Sequence, residues 1–448
     1  MPYNPFETPL GETLQPEDLK ILVTQQVAEG YYIEYKRELP TAKKIAHSLA
    51  SFANTYGGWY IVGVETNEHN VATQISGFNP ASHPDPIAIV RDVVRHHIDP
   101  VPIFFPQVIT LDDGHLVLAV YVPENQETPF ITKDGRLYRR TCDSSEPVPE
   151  TNRYALDQLV ERGKEVSKRF ARFAEDKRSF SKAEEDGWLK IYVSPYPFGL
   201  IEQWEVLSTS GIANLITASK QSVQFPFNDS GIDISGNIEF NAAYLTPNSV
   251  VLRQTNIQNE AFNSLSIELD VFGRAKMFIP LQKVRLEDYD LSSIRSSIAH
   301  QQLSNRLEAQ PNGRSTHLYC FDIGRVCLVI AVLTNYYLRR LSNPLSLTGF
   351  QVSLELDNVW RYIPFYDFDS WGSHVEHLGL PVLMENHVYF PPQKGKGYIV
   401  DAGRELWISL CVNAARSCGL PSELFANVLG QVLADASTDG KYSNKIGN

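Results

Sequence analysis

Along the first 150 residues, apolar positions alternate between helical and extended spacing. Gln15 to Ala28 carries Leu19, Leu22, Val23 and Val27 at helical intervals, which predicts an amphipathic helix. Tyr31 to Lys36 then switches to period two, with Tyr31, Ile33 and Tyr35 on one face and Tyr32, Glu34 and Lys36 on the other. Pro40-Thr41 opens a second helix whose stripe is Ile45, Leu49, Ala50, Phe52 and Ala53, and Gly57-Gly58 closes it. Trp59 to Val64 is apolar, aromatic and β-branched without interruption, the pattern of a buried strand. A third helix is predicted over Pro86–His97, where Ile87, Val90, Val94 and Ile98 share a side. Strands follow at Phe104–Leu111 and His115–Val122 around the turn Asp112-Asp113-Gly114. A second turn, Lys133-Asp134-Gly135, leads into Arg136-Leu137-Tyr138-Arg139-Arg140. Thr151 to Arg178 reads as one long helix rich in Arg and Lys.

The polar stretch Ser179–Gly187 marks the domain boundary. Beyond it, strand patterns appear at Leu189–Val193, Ser249–Arg253, Ser264–Val271 and His317–Phe321. Helical patterns appear at Ile323–Leu341, Ala402–Cys418 and Ser422–Leu433, and no period of 20–50 residues repeats. The expected fold class is therefore α+β. A mixed α/β domain with a trailing basic helix (1–180) precedes a larger α+β accessory domain (188–434) and a flexible tail (435–448).

Composition narrows the function classes. In 448 residues, 43% are hydrophobic and 21% charged, the balance of a folded chain rather than a disordered one. The net charge of −12 argues against a protein coated in positive charge, such as a DNA packager, and leaves room for a local basic groove. Five cysteines, an odd number, suit a reducing cytoplasm better than a disulfide framework, and the N-terminus shows no secretory pattern. The most apolar run, Val326–Leu333, falls far short of the roughly 20 residues that span a bilayer, so a buried helix and no membrane partner are expected.

Three constellations carry candidate chemistry. Glu34 and Lys36 sit two apart on a strand and project from one face, where a carboxylate and an ammonium can share a divalent metal and a scissile phosphate. Glu29 precedes that strand and is placed to fold back as a second carboxylate; the plain alternative is a surface ion pair. Asn54 and Gly57-Gly58 end a helix before a core strand and suit close backbone approach to a ligand, or simply a helix stop. Arg136, Arg139 and Arg140 surround Tyr138, an arrangement for gripping phosphates and stacking a base, or a solvated hairpin. The cations of the helix over Thr151–Arg178, Arg162, Lys164, Lys168, Arg169, Arg172, Lys177 and Arg178 among them, form either a groove wall or a salt-bridged solvated face. Cys320-x6-Cys327 and Cys411-x6-Cys418 lack zinc spacing and read as core cysteines, His96-His97 as a helix-end pair, and His374-x2-His377 as a histidine pair in a loop.

In order along the chain, Glu29…Glu34-Tyr35-Lys36, Ser51-Phe52-Ala53-Asn54-Thr55-x-Gly57-Gly58, Ile61-Val62-Gly63-Val64, Ile98-x-Pro100, Val117-Leu118-x-Val120-x-Val122 and Pro129-Phe130…Gly135…Tyr138-Arg139-Arg140 resemble the AlbA-type nucleic-acid-binding domain of Schlafen proteins. The resemblance covers roughly residues 12–160. It implies a nuclease that cleaves tRNA or other structured RNA at a divalent metal, Mg²⁺ or Mn²⁺, held by three acidic residues. Glu29 and Glu34 match two of them. At the third the family has two acidic residues in a row, and here Glu65-Thr66 stands, so the catalytic position is threonine and Glu65 is the nearest carboxylate.

The leading expectation is a cytoplasmic Schlafen-like metal-dependent endoribonuclease. Glu29, Glu34 and Glu65 would hold the metal, Lys36 would neutralise the scissile phosphate, and Arg37, Asn54, Arg136, Tyr138, Arg139 and Arg140 would hold the nucleic acid, RNA before DNA. A dimer would supply the second lobe that vertebrate Schlafens carry in one chain. Thr66 favours the alternative, a regulator that binds DNA or RNA without cutting it. A further alternative puts the function in the C-terminal domain as protein interaction or ligand sensing. Because residues 1–180 keep a net negative charge, binding would be modest and strongly salt-dependent.

Overall fold

A computed structural model of the protein describes the chain apart from residues 1–2, 9, 11, 126–127, 142–143, 176–186, 197–200, 202, 221–222, 228–231, 237, 256–263, 309–317, 342–348, 395–401 and 422–448. The helix expected over Ser422–Leu433 and the tail 435–448 lie outside the described residues. The chain divides into two compact units, one built on Met1–Glu175 and the other on Gln203–Ser342 and Gly349–Asn448.

In the first unit the elements run α1 (Pro16–Thr24), β1 (Ile33–Lys36), α2 (Ala42–Ala53), β2 (Gly58–Val62), β3 (Val64–Thr66), β4 (Ala72–Ile75), α3 (Pro86–His97), β5 (Ile98–Asp99), β6 (Phe105–Thr110), β7 (Leu116–Val122), β8 (Ile131–Thr132), β9 (Leu137–Thr141), β10 (Ser144–Glu150) and α4 (Arg153–Glu175). One sheet has the order β1-β2-β7-β6, with β1 parallel to β2 and the other pairs antiparallel. A second has the order β10-β9-β8-β5, and β3-β4 form a small hairpin. The parallel β1–β2 pair needs a crossover, and α2 supplies it. The apolar stripe of α2 packs with Val90, Val93 and Val94 of α3 against Tyr60, Val62, Leu118, Val120 and Val122 of the sheet. Asp85 caps α3, accepting the Ala88 N–H at 2.9 Å ahead of Pro86 at the first turn.

Most periodic segments of the sequence form the elements they predict, but α1 ends at Thr24, short of Val27, where Gln26 takes φ +51°. The run Trp59–Val64 is two strands, because Gly63 at φ +104° breaks it and turns the chain into β3. Strands β3, β4, β5, β8 and β10 carry no alternation long enough to read.

The second unit is also α+β. Its seven-stranded sheet has the order Ala242–Leu245, Ser249–Arg253, Ser266–Asp270, Ala275–Leu281, Gly187–Tyr196, Gly349–Asp357, His387–Lys394. The helix Ile323–Arg340 is buried along most of its length, as its apolar run predicts. Cys320, Cys327, Cys411 and Cys418 are free and buried, and burial pushes the Cys320 and Cys418 thiols up to about 12. Cys142 lies outside the described residues. One expectation is corrected here: His374 and His377 stand on a helix, Asp369–Leu378, rather than in a loop. Trp371 and Val375, one turn apart, bury its inner face, and His377 Nδ1 lies 2.7 Å from Ser373 O on the same helix. Lys190 is buried and pairs with Asp357 at 2.9 Å and Glu355 at 3.9 Å, with His387 Nδ1 3.3 Å from Glu355. Among the described residues no helix is long and apolar enough to cross a membrane.

At Gly57, φ is +78° and a Cβ would fall 2.4 Å from the Val122 carbonyl oxygen. Both the conformation and the space exclude a side chain. Gly57→Ala should therefore lower stability by about 1–3 kcal/mol, read as the shift in the urea midpoint; an unchanged midpoint would mean that the helix stop tolerates a side chain.

Candidate nucleic-acid interface

Glu34, in the middle of β1, is only 1% exposed. Its Oε2 meets Arg140 Nη1 of β9 at 2.5 Å, while its Oε1 accepts from Ser48 Oγ of α2 at 2.8 Å and pairs with Lys36 Nζ at 2.9 Å. Glu34 and Lys36 thus share a face, as period two requires. Arg140 is also 1% exposed. Its Nη2 donates to the Gly30 carbonyl, its backbone N–H to Thr55 Oγ1 at 3.1 Å, and its guanidinium lies 4.6 Å from the Phe52 ring centre. Burial pulls the Arg140 pKa down, and the Glu34 carboxylate offsets this only in part. Burial, then the Glu34 charge, raises the Tyr60 phenol well above its ordinary value.

Glu29 acts with Glu34 on the Arg140 charge, and Glu29 and Glu65 each have partners of their own. Glu29 accepts the Tyr35 N–H at 2.6 Å, and Glu65 pairs with Arg37 at 3.4 Å. Among the described residues no three His, Cys, Asp or Glu side chains are placed to hold a metal ion together. Glu34, the central member of the expected set, already has both oxygens engaged by an arginine, a lysine and a serine. The set Glu29, Glu34 and Glu65 therefore does not fit Mg²⁺ or Mn²⁺ in this arrangement, and Lys36 faces Glu34 rather than an open phosphate position.

The expected nucleic-acid contacts separate into two groups. Arg37 and Arg136 are exposed. Arg139 is partly exposed and paired with Glu150. Arg140 is interior, and so are Asn54 and Tyr138. The amide of Asn54 bridges two strands' connections: Nδ2 donates to Phe130 O at 2.7 Å and Tyr138 O at 3.1 Å, and Oδ1 accepts the Phe130 N–H at 2.7 Å. The Tyr138 ring stacks on His47 at 3.8 Å, and its hydroxyl donates to Asp134 at 3.1 Å. These three side chains hold the fold, because a polar group buried here must find its partner within the protein. Along α4, Lys164 pairs with Glu161 at 2.6 Å, Lys168 with Glu165 at 3.1 Å, and Arg172 with Glu165 at 2.7 Å. Among the described side chains this is a salt-bridged face rather than an open row of cations; Lys177 and Arg178 lie outside the described residues.

What the surface does present is aromatic. Tyr32 and Tyr56 are 37% and 53% exposed. Tyr3 stacks on Tyr32 at 5.3 Å, Tyr31 meets Tyr32 edge-on at 5.1 Å, and Tyr31 and Tyr56 lie 6.0 Å apart. The Arg162 guanidinium of α4 stands 5.4 Å from the Tyr56 ring centre. Sequence reasoning missed this cluster; its one legible signal is the Tyr31-Tyr32 pair, whose second member lies on the polar face of its period-two segment.

The Glu34–Arg140 pair can be tested as structure. Glu34→Gln or Arg140→Ala should each cost about 3–5 kcal/mol, because each leaves a buried charge alone. Removing both charges with Glu34→Gln and Arg140→Met should recover part of that loss in urea denaturation, and single variants as stable as wild type would show that the pair is not what holds β1 to β9.

No curated protein matches the chain. Several solved structures are similar to part of it, these two among them. The N-terminal domain of an ATP-dependent DNA helicase RecG-related protein from Nitrosomonas europaea is 24% identical, over 29% of this chain and 90% of that one, with a TM-score of 0.22. The DIP2311 protein from Corynebacterium diphtheriae is 25% identical, over 28% of this chain and 25% of that one, with a TM-score of 0.19; the chain thus spans a quarter of that protein's length. The family model described as Schlafen, AlbA_2 matches residues 29–149, a stretch that holds Glu34, Asn54, Tyr56 and Arg140. The N-terminal part of the chain therefore carries a Schlafen AlbA_2 domain, which relates it to nucleic-acid-associated proteins.

Proposed function

We propose that the N-terminal unit binds single-stranded nucleic acid, RNA before DNA, by stacking bases on its exposed tyrosines, and that it does so without cutting at the Glu34 carboxylate. The observation that carries this reading is the cluster of Tyr3, Tyr31, Tyr32 and Tyr56 with Arg162 over the Tyr56 ring. Aromatic faces accept any base, and Arg162, held by Glu124 at 4.0 Å and by the Ala53 carbonyl at 3.3 Å, supports the Tyr56 ring from beside it. The Schlafen AlbA_2 match supports the same class of ligand. A metal-dependent endoribonuclease at Glu29, Glu34 and Glu65 has less behind it. Its third acidic position is Thr66, and its central carboxylate is neutralised by Arg140.

Most cations of the expected basic groove are already paired with carboxylates, so few phosphates are neutralised. Affinity should fall only gently with salt, with a slope of log K against log salt of about −1 to −2 for a single strand. In fluorescence anisotropy with a labelled single-stranded RNA, Tyr56→Ala and Tyr32→Ala should each weaken binding about 5- to 100-fold, the range of one lost stack. Equal affinity for duplex and single strand, or tyrosine variants that bind as wild type does, would overturn the reading. RNA cleavage in Mn²⁺ that disappears in Glu34→Gln, with fold retained, would restore the metal nuclease.

A further inference from the structure

Near the start of α2 and away from the tyrosine cluster, a cleft of about 230 Å³ is lined by Lys43 and His47 of α2, His97 at the end of α3, and Thr132, Lys133 and Asp134 at the β8–β9 turn. Its one carboxylate is fully engaged. Asp134 accepts from Thr132 Oγ1 at 2.6 Å, Tyr138 Oη at 3.1 Å and the Arg136 N–H at 3.3 Å, and lies 3.1 Å from His47 Nε2 and 3.7 Å from Lys43 Nζ. Burial opposes its charge, but the hydrogen bonds from Thr132, Tyr138 and Arg136 outweigh burial and hold its pKa well below the usual carboxylate range. Asp134 therefore stays ionised and orients its neighbours, and the Lys43 ammonium 3.7 Å away offsets the charge it presents to an anion.

The remaining groups are basic. In the lining, Lys43 and Lys133 outnumber Asp134, His47 and His97 add two imidazoles, and the charge of Arg136 acts on His47. His47 itself senses this field. Its pKa is lowered first by burial and further by the charges of Lys43 and Arg136, against the pull of Asp134. Held toward the neutral form by its surroundings, His47 gains a proton when a negative charge arrives beside it. Its ring is fixed for that role by the 3.8 Å stack on Tyr138 and by Asp134. The phenol of Tyr138, raised first by burial and then by Asp134, stays neutral and donates to that carboxylate.

We propose that this cleft binds a phosphate group, with Lys43 and Lys133 meeting its charge and His47 and His97 its oxygens. The phosphate is either a free anion or the terminal phosphate of a nucleic-acid strand, and the site does not depend on whether Tyr56 holds a base.

Sulfate, a dianion that does not titrate near neutrality, is the probe. In calorimetric titration of the full chain, sulfate should bind saturably, and Lys43→Ala or Lys133→Ala should each weaken it about tenfold, the worth of one charge-assisted contact. Both lysines lie on the surface, so these variants keep the fold. The folded pKa of His47 rises when the anion binds, so affinity is highest below that raised value and falls as pH climbs through it. A gain of about threefold or more from pH 8 to pH 6 is expected, and His47→Gln should reduce it. Tyr56→Ala should leave sulfate binding unchanged, which separates this site from the tyrosine cluster. Displacement of sulfate by a 5′-phosphorylated single-stranded RNA, but not by its 5′-hydroxyl counterpart, would name the strand as the source. Displacement by inorganic phosphate alone would name the free anion, and either result keeps the site. No saturable sulfate binding at either pH, or binding that neither lysine substitution alters, overturns the proposal.

Discussion

Glu34 and Arg140 stand 106 residues apart in the chain and meet at 2.5 Å in a place that water does not reach. Two charges withdrawn from water cost more than their attraction returns unless the remaining donors and acceptors are also matched. Here most of them are. Ser48 and Lys36 complete the carboxylate, and Gly30, Thr55 and the Phe52 ring complete the arginine. The partners come from β1, the start of the chain into β1, α2, the turn after α2, and β9. One ion pair thus fastens the crossover helix and the second sheet to the edge of the first.

The same pair sets what the surface can do. Tyr31 and Tyr32 lie between Gly30, whose carbonyl Arg140 holds, and β1, and the Tyr32 carbonyl accepts the Trp59 N–H at 2.7 Å. Tyr56 follows Thr55, whose hydroxyl accepts the Arg140 N–H. Both sides of the tyrosine cluster are therefore tied to Arg140, one through its guanidinium and the other through its backbone N–H. A stacking surface needs such rigidity, since rings that must first be ordered lose part of the energy of each stack. Catalytic chemistry would ask the opposite of Glu34: a carboxylate with an oxygen open to a ligand.

The fold was legible where patterns are long. The helix Pro86–His97 and the strand Ser249–Arg253 fall at the residues that their periodicity predicts, and β1 places Glu34 and Lys36 on one face. The candidate site was legible only as a set of residue types. Period two says that Glu34 shares a face with Lys36, but not that the face is covered, because the cover comes from β9 and α2. Likewise Arg136, Arg139 and Arg140 are one tripartite cluster in sequence and three environments in space: exposed, paired with Glu150, and buried. The meeting of His47 with Asp134 joins residues 87 apart and leaves no local trace.

An acidic chain can bind a polyanion only if something other than bulk charge carries the affinity. With a net charge of −12, the long-range field of this protein repels nucleic acid. Its cations could offset that only where they are unpaired, and along α4 the carboxylates that would need removing are the ones that neutralise them. Stacking escapes this limit, since a base presents the same face whatever the salt. A repulsive field with a stacking surface slows association and discriminates against the duplex, whose bases are already stacked on each other and whose charge density is higher. On the proposed reading, the acidic balance would act as selectivity for exposed single-stranded bases.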